Sequence, residues 1–218
     1  RYTGFWREFG AVLKEGLLGF DEHADKVLEI VLAASTHHPS DLTTLAEYVN
    51  RMKGGQDTIY FVSGSSRSAV ERSPHLEAFR DKGYEVLLFT DPVAEIWLQH
   101  PPKFGGKSLT SLTGADITPG TEEEKKQAEE TARELEETFR DLLLRLRAAL
   151  QDHVKDVRLS KRLSTSAACL VSDAGDLSPQ LQELLRRSGQ SVPDVKRILE
   201  VNASHPILEK LQRAVARD

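Results

Sequence analysis

The hydrophobic positions change period several times along the chain, and each change predicts an element. Phe5, Phe9, Val12 and Leu13 recur at helical spacing, and Val27, Ile30 and Val31 repeat the pattern in a second helix. His37-His38-Pro39-Ser40 interrupts it. Asp41 or Thr44 can then cap a third helix, with Glu47 placed three residues after Thr44 to complete a capping box. Residues 1–52 are therefore expected to be helical.

From residue 58 the pattern shortens. Thr58-Ile59-Tyr60-Phe61-Val62 and Tyr84-Glu85-Val86-Leu87-Leu88-Phe89 are β-branched and aromatic runs that read as buried strands. Each precedes a helix: Ser73-Pro74 and Asp91-Pro92 both set a capping side chain before a proline at the first helical position. Strand, helix, strand, helix implies a small α/β layer with parallel strands. Between Gln99 and Gly120, Pro101, Pro102, Gly105, Gly106, Gly114, Pro119 and Gly120 mark a boundary, with one strand expected at 108–112.

Thr121 and Glu124 form a second capping box, and the helix they open carries Ala128, Ala132, Leu135, Phe139, Leu142, Leu146 and Ala149 at alternating spacings of four and three. That seam suits either a coiled coil or packing on the helix's own domain. Val157/Leu159 and Ala168/Leu170 alternate as an antiparallel pair around Ser164-Thr165-Ser166. Ser178-Pro179 caps another helix, Ile198 to Val201 reads as a third strand, and a last helix runs from His205 to Val215. The fold class is α+β: a helical segment and small αβα layer over 1–106, then a long helix and a small three-stranded sheet with helices over 107–218.

Composition narrows the function classes. The chain of 218 residues is 39% hydrophobic and 29% charged, with a net charge of -5. No clustered basic surface is evident, so nucleic acid is not an expected partner. No apolar run approaches the roughly 20 residues of a membrane span, so neither is a membrane. The single cysteine, Cys169, cannot form an intramolecular disulfide, which fits a reducing, cytoplasmic setting. Met52 is the only methionine, so Arg1 reads as an internal position of a longer protein.

Candidate chemistry is sparse. Gly106-Lys107-Ser108 ends like a phosphate-binding loop, but the glycine required five residues before Gly106 is Pro101. Ser63-Gly64-Ser65-Ser66 follows a strand without the G-x-S-x-G frame of a nucleophile elbow. The histidines at 23, 37, 38, 75, 100, 153 and 205 show no ligand spacing for zinc, and no metal or cofactor is expected. Cys169 reads as a small core side chain, and the acids of 122–137 as a solvated helix face. Two features suit binding, with core packing as the alternative for both: Trp97 before the proline-rich break, and the leucines of the Ser178 helix.

The strings themselves carry a resemblance. Phe5-Trp6-x-x-Phe9-Gly10-x-x-Leu13-Lys14-Glu15-Gly16, Tyr48-Val49-x-Arg51-Met52-Lys53 and Gly55-Gln56-x-x-Ile59-Tyr60 resemble the middle domain of the ninety-kilodalton heat-shock chaperones. The likeness continues through Ser73-Pro74-His75-Leu76-Glu77, Gly83-x-Glu85-Val86-Leu87, Val154-Lys155-x-Val157, Arg162-Leu163 and Pro193-x-x-Lys196-x-Ile198-Leu199-Glu200-x-Asn202, ending at His205-Pro206. The blocks stand in family order over almost the whole chain.

The resemblance implies a stress-response chaperone, driven by ATP and Mg, that works as a dimer on partly folded client proteins. It places the ATP site upstream of Arg1 and the main dimer helices beyond this chain. The chain alone is thus expected to have no enzyme activity and to be monomeric or weakly dimeric. It further implies a distal middle domain at 1–106, a truncated C-terminal domain at 107–218, and client contacts at Glu95, Trp97, Gln99, Leu177, Leu181, Leu184 and Leu185. Bacterial relatives carry Glu-Trp followed by an amide; in Glu95-Ile96-Trp97-Leu98-Gln99 the tryptophan stands one place later, leaving both client and core orientations open. Leucine also replaces the family's usual methionines on the Ser178 helix, keeping apolar area but less adaptability. The rival readings are a scaffold dimerising through the 128–149 seam and a small α/β enzyme using the Ser63 loop.

Overall fold

Leu32-Ala33-Ala34-Ser35 has the composition of a helix but does not fold as one. In the computed structural model, which describes residues 2–18, 24–173 and 175–215, these four residues are strand β1 (Leu32–Ser35). His23, one of the seven histidines, lies outside the described residues. The chain divides into two compact units that are not contiguous in sequence. The first comprises Arg1–Arg72, Gly83–Leu112 and Leu177–Val192, and the second Ser73–Lys82, Thr113–Asp176 and Pro193–Asp218.

The first unit opens with α1 (Tyr2–Glu15), which buries Trp6, Gly10 and Lys14. A Cβ at Gly10 would lie 2.8 Å from the Trp6 ring, so only glycine lets the indole fold over the helix. After α2 (Ala24–Ile30), β1 turns back through Thr36-His37 into β2 (His38–Thr44). The helical reading of residues 1–52 therefore fails over 32–44, which form an antiparallel hairpin. The reason is tertiary: β1 lies between β2 and β4 (Leu87–Phe89), and the small side chains that favour helix also let the strand sit buried in mid-sheet.

The expected elements that follow are present. Thr44 and Glu47 form both halves of the capping box of α3 (Leu45–Arg51). Strand β3 (Thr58–Ser63) pairs in parallel with β4 and with β5 (Ser108–Ser111), completing a sheet of order β2-β1-β4-β3-β5. Ser66 caps α4 (Arg67–Glu71), and Asp91 caps α6 (Pro92–Trp97). Beneath the sheet Tyr48 acts as a polar hub: its hydroxyl donates to the Glu85 carbonyl at 2.8 Å and accepts from Tyr60 N–H at 3.0 Å.

In the second unit, Thr121 and Glu124 cap α7 (Glu122–Leu150) as expected. Ala132, Phe139, Leu142 and Leu143 are buried, and the last three pack on Val157, Leu159, Val201 and Leu208 of the same unit. Phe139, Leu142 and Leu146 of the seam thus serve the unit's own core, while Leu135 and Ala149 are exposed, and the scaffold reading gains no support. Strands β6 (Asp156–Leu159) and β7 (Ala168–Val171) do not pair with each other. Strand β8 (Ile198–Val201) lies between them, parallel to β6 and antiparallel to β7.

A buried acid on β8 reinforces its pairing with β6. Glu200 is buried and accepts from Arg158 at 2.8 Å, Arg162 at 3.1 Å and Ser160 Oγ at 3.0 Å. The acid gathers both arginines around the middle strand. Burial pushes the Cys169 thiol up to about 12, in keeping with a core side chain. Helix α9 (Pro206–Val215) closes the unit with Leu208 inward.

Exposed sheet edges are blunted by side chains. On β6 the Val157 N–H donates to Asp156 Oδ1 at 2.7 Å, and the Val157 carbonyl accepts from Arg147 Nε at 3.0 Å. On β2, Pro39 lacks a donor, and His38 Nδ1 accepts from the N–H groups of Ser40 and Asp41 at 3.3 and 3.1 Å.

The segment Ser73–Lys82, with a 3-10 turn at Pro74–Leu76 and α5 (Glu77–Asp81), buries Leu76 and Phe79 and is tied to a neighbouring loop by one carboxylate. Glu77 accepts from the backbone N–H of Ser164, Thr165 and Ser166 at 2.7, 2.9 and 3.1 Å and from Ser166 Oγ. Desolvation raises its pKa, but these donors outweigh that and lower it to about 2. A carboxyl so depressed stabilises the fold fully above its ordinary pKa of about 4.5 and loses that contribution as pH falls towards 2. Glu77→Gln should therefore cost about 2–3 kcal/mol at neutral pH, for lost charge-assisted hydrogen bonds. Urea unfolding followed by circular dichroism should show the gap from wild type narrowing as pH drops below 4.5; a gap constant down to pH 2 would refute the assignment.

Candidate functional site

The client contacts expected from the resemblance fall on α6 and α8 (Pro179–Arg187), which pack against each other within the first unit. One hydroxyl fixes the start of α8. Ser178 Oγ accepts from Leu181 N–H at 3.0 Å, capping the helix, and donates to Glu95 Oε2 at 2.7 Å. Glu95 is only 6% exposed. Leu181 is buried one turn in, whereas Leu177, Leu184 and Leu185 are half-buried. The helix is anchored at its first turn and leaves leucine surface uncovered beyond it.

Trp97 takes the core orientation of the two left open by sequence. It is 3% exposed and meets Phe89 edge-on at 5.6 Å. Its neighbour Ile96 is 45% exposed. Counting from the Asp91 cap accounts for this. Ala94, Trp97 and Leu98 stand at i, i+3 and i+4 and form the buried face, so Ile96 points away from it. Gln99 is half-buried, its side-chain amide donating to the Glu95 carbonyl at 3.1 Å.

Between the end of β3, the cap of α6 and α8 lies a cavity of about 330 Å³. Gly64, Ser65, Thr90, Asp91, Pro92, Glu95, Pro179, Gln180, Glu183, Leu184 and Arg187 line it. Asp91 is held by Lys14, whose ammonium lies 2.7 Å away and above the rings of Trp6 and Phe89. Arg187 pairs with Glu183 at 2.8 Å. The cavity therefore combines apolar walls with an acidic rim. Sequence reasoning found Glu95, Leu184 and the cap at Ser178 but missed the tie from Ser178 to Glu95 and the parts played by Gln180 and Lys14.

The other candidate chemistries are placed in bland settings. Gly105 and Gly106 adopt positive φ in a tight turn closed by reciprocal bonds between Phe104 and Lys107. Lys107 Nζ donates to the Gln56 carbonyl at 3.2 Å. Ser63 is buried within β3 and Ser66 is spent on a helix cap. Among the described residues no group of His, Cys, Asp and Glu could hold a metal ion, and no helix is long and apolar enough to cross a membrane.

The sequence profile of the family described as "Hsp90 protein" matches residues 1–218. The chain belongs to the Hsp90 family. It is 49% identical over 214 residues to "Chaperone protein HtpG" of Nocardia farcinica, covering 98% of this chain and 33% of that relative. It is 50% identical over 213 residues to the protein of the same name from Mycobacterium leprae, covering 98% and 32%. The Frankia casuarinae protein of that name is 47% identical over 218 residues, 100% of this chain and 34% of its own length. This Hsp90 chain thus spans about a third of the length of the curated relatives it matches.

Within this Hsp90 chain the two ends of the α8 stripe should respond differently to charge. Leu181→Asp buries an unpaired carboxylate and should destabilise the first unit by about 3 kcal/mol or more. Leu184→Asp, at a half-buried position, should cost about 1 kcal/mol or less. Trp6 and Trp97 are both buried in the first unit, so thermal unfolding followed by tryptophan fluorescence reports it directly. Equal losses for the two variants would mean that α8 is buried along its whole length.

Proposed function

We propose that this chain is the client-holding part of a molecular chaperone that assists protein folding under stress. The observation that carries the reading is the state of α8: a helix pinned at Ser178 and Leu181 whose Leu184 and Leu185 remain half-exposed beside a cavity. Exposed apolar surface on a fixed element serves contact more than stability. The name carried by the relatives supports the chaperone role. The clients are unfolded or partly folded proteins, met through Ile96, Leu177, Leu184, Leu185 and Gln99 around Glu95, with Trp97 and Leu181 supporting that surface from below.

The finer features belong to the parent protein. Binding and hydrolysis of ATP with Mg, and homodimerisation, are assigned to the roughly two thirds of the relatives that this chain does not match. The cytoplasm is the proposed compartment. Light scattering tests the holding activity on the chain itself. A heat-labile enzyme warmed with a molar excess of the chain should scatter less than it does alone. The double variant Leu184→Ser, Leu185→Ser should lose most of that protection while its melting temperature stays close to wild type. Unchanged scattering with the wild-type chain would end the reading.

A further inference from the structure

Among the described residues five charged side chains are buried: Lys14, Glu77, Glu95, Arg162 and Glu200. Four have their charge answered inside the fold. Lys14 meets Asp91, Arg162 and Glu200 meet each other, and Glu77 collects the donors of the Ser164–Ser166 loop. Glu95 is the exception. Its Oε2 takes one hydroxyl hydrogen bond from Ser178, and no cation among the described residues pairs with it. A buried carboxylate so poorly compensated is costly unless something else supplies the positive charge.

The cavity beside it shows where that charge would come from. Glu95 lines the wall, together with Gln180, whose Oε1 is a buried acceptor without a donor. The lining cation, Arg187, is already engaged by Glu183, and Asp91 by Lys14. An apolar group entering here would leave both acceptors unpaired, and an acid would meet like charge. An ammonium offers three donors and a guanidinium five, enough to serve Glu95 and Gln180 together. The volume of about 330 Å³, at the lower end for ligand pockets, is ample for a long basic side chain.

We infer that this cavity takes the lysine or arginine side chain of an unfolded client segment, with Glu95 as its counter-ion and Leu184 against the apolar flank. The inference rests on the holding role proposed above and adds a residue class to it. Clients would be selected for a basic residue set between apolar ones.

Two fluorescent peptides test it, identical but for a central lysine or glutamine between leucines. Anisotropy titration of the wild-type chain should give the lysine peptide about tenfold tighter binding, a difference of about 1.4 kcal/mol. That advantage should shrink at high salt, because a partly open ion pair is screened. Glu95→Gln keeps an acceptor for Ser178 and should weaken the lysine peptide about tenfold, towards the affinity of the glutamine peptide for wild type. Equal binding of both peptides by wild type at low salt would overturn the cation preference and leave the holding surface standing. Should neither peptide bind, and scattering also be unaffected, the holding surface itself falls. The wild-type peptide comparison decides the matter even if Glu95→Gln fails to fold.

Discussion

The ion pair between Lys14 and Asp91 is the interaction on which the first unit depends. Lys14 comes from the last turn of α1 and Asp91 from the cap of α6, separated by 77 positions in sequence. The ammonium is almost fully buried above two aromatic rings, so both a carboxylate and π-faces answer it. The other oxygen of Asp91 holds the N–H of Ala94 at 2.9 Å and so starts α6. Removing Asp91 would strand the Lys14 charge in the core, a loss of about 3–5 kcal/mol. It would also free the helix that carries Glu95 and Trp97. The hydroxyl of Ser178 then hangs α8 on Glu95, so the position of the leucine stripe follows from a chain of contacts that begins at Lys14.

Polar groups do the specifying in both units. Glu200 gathers Arg158, Arg162 and Ser160, and in doing so it ties β8 to β6 and the loop that follows it. Glu77 binds a run of three successive backbone N–H groups and ties its short helix to the loop before β7. In each case a carboxylate satisfies donors that burial would otherwise leave unpaired. Apolar area holds these cores together, but it is the acids that decide which segments meet.

Local signals were legible in the sequence, and pairings were not. Caps at Thr44, Ser73, Asp91, Thr121 and Ser178 all form, because a side chain and the backbone two or three residues on decide them. Strands β3 and β4 were readable as continuous apolar runs for the same local reason. The hairpin of β1 and β2 was hidden, since alanines give no period of two and the strand is defined only by its neighbours. Strand β8 carried a strand signature but nothing to say that it separates β6 from β7. At the site, the resemblance pointed to Glu95 and the α8 leucines, while the direction of Trp97 followed only from counting helical positions past Asp91. The ties that connect these parts, Ser178 to Glu95 and Lys14 to Asp91, span 83 and 77 positions and leave no local mark.

The blunted edges of β2 and β6 take on a second meaning under the client-holding role proposed above. An unfolded chain is rich in segments ready to form strands, and an open ladder would template them without regard to side chain. Here the N–H and carbonyl of Val157 are already occupied by Asp156 and Arg147, and the rim of β2 by His38 and Pro39. Backbone capture at these rims is thereby closed off, and a bound chain is left to engage through its side chains. Contacts of that kind let go more readily than a shared sheet, which keeps a holder from becoming the seed of an aggregate.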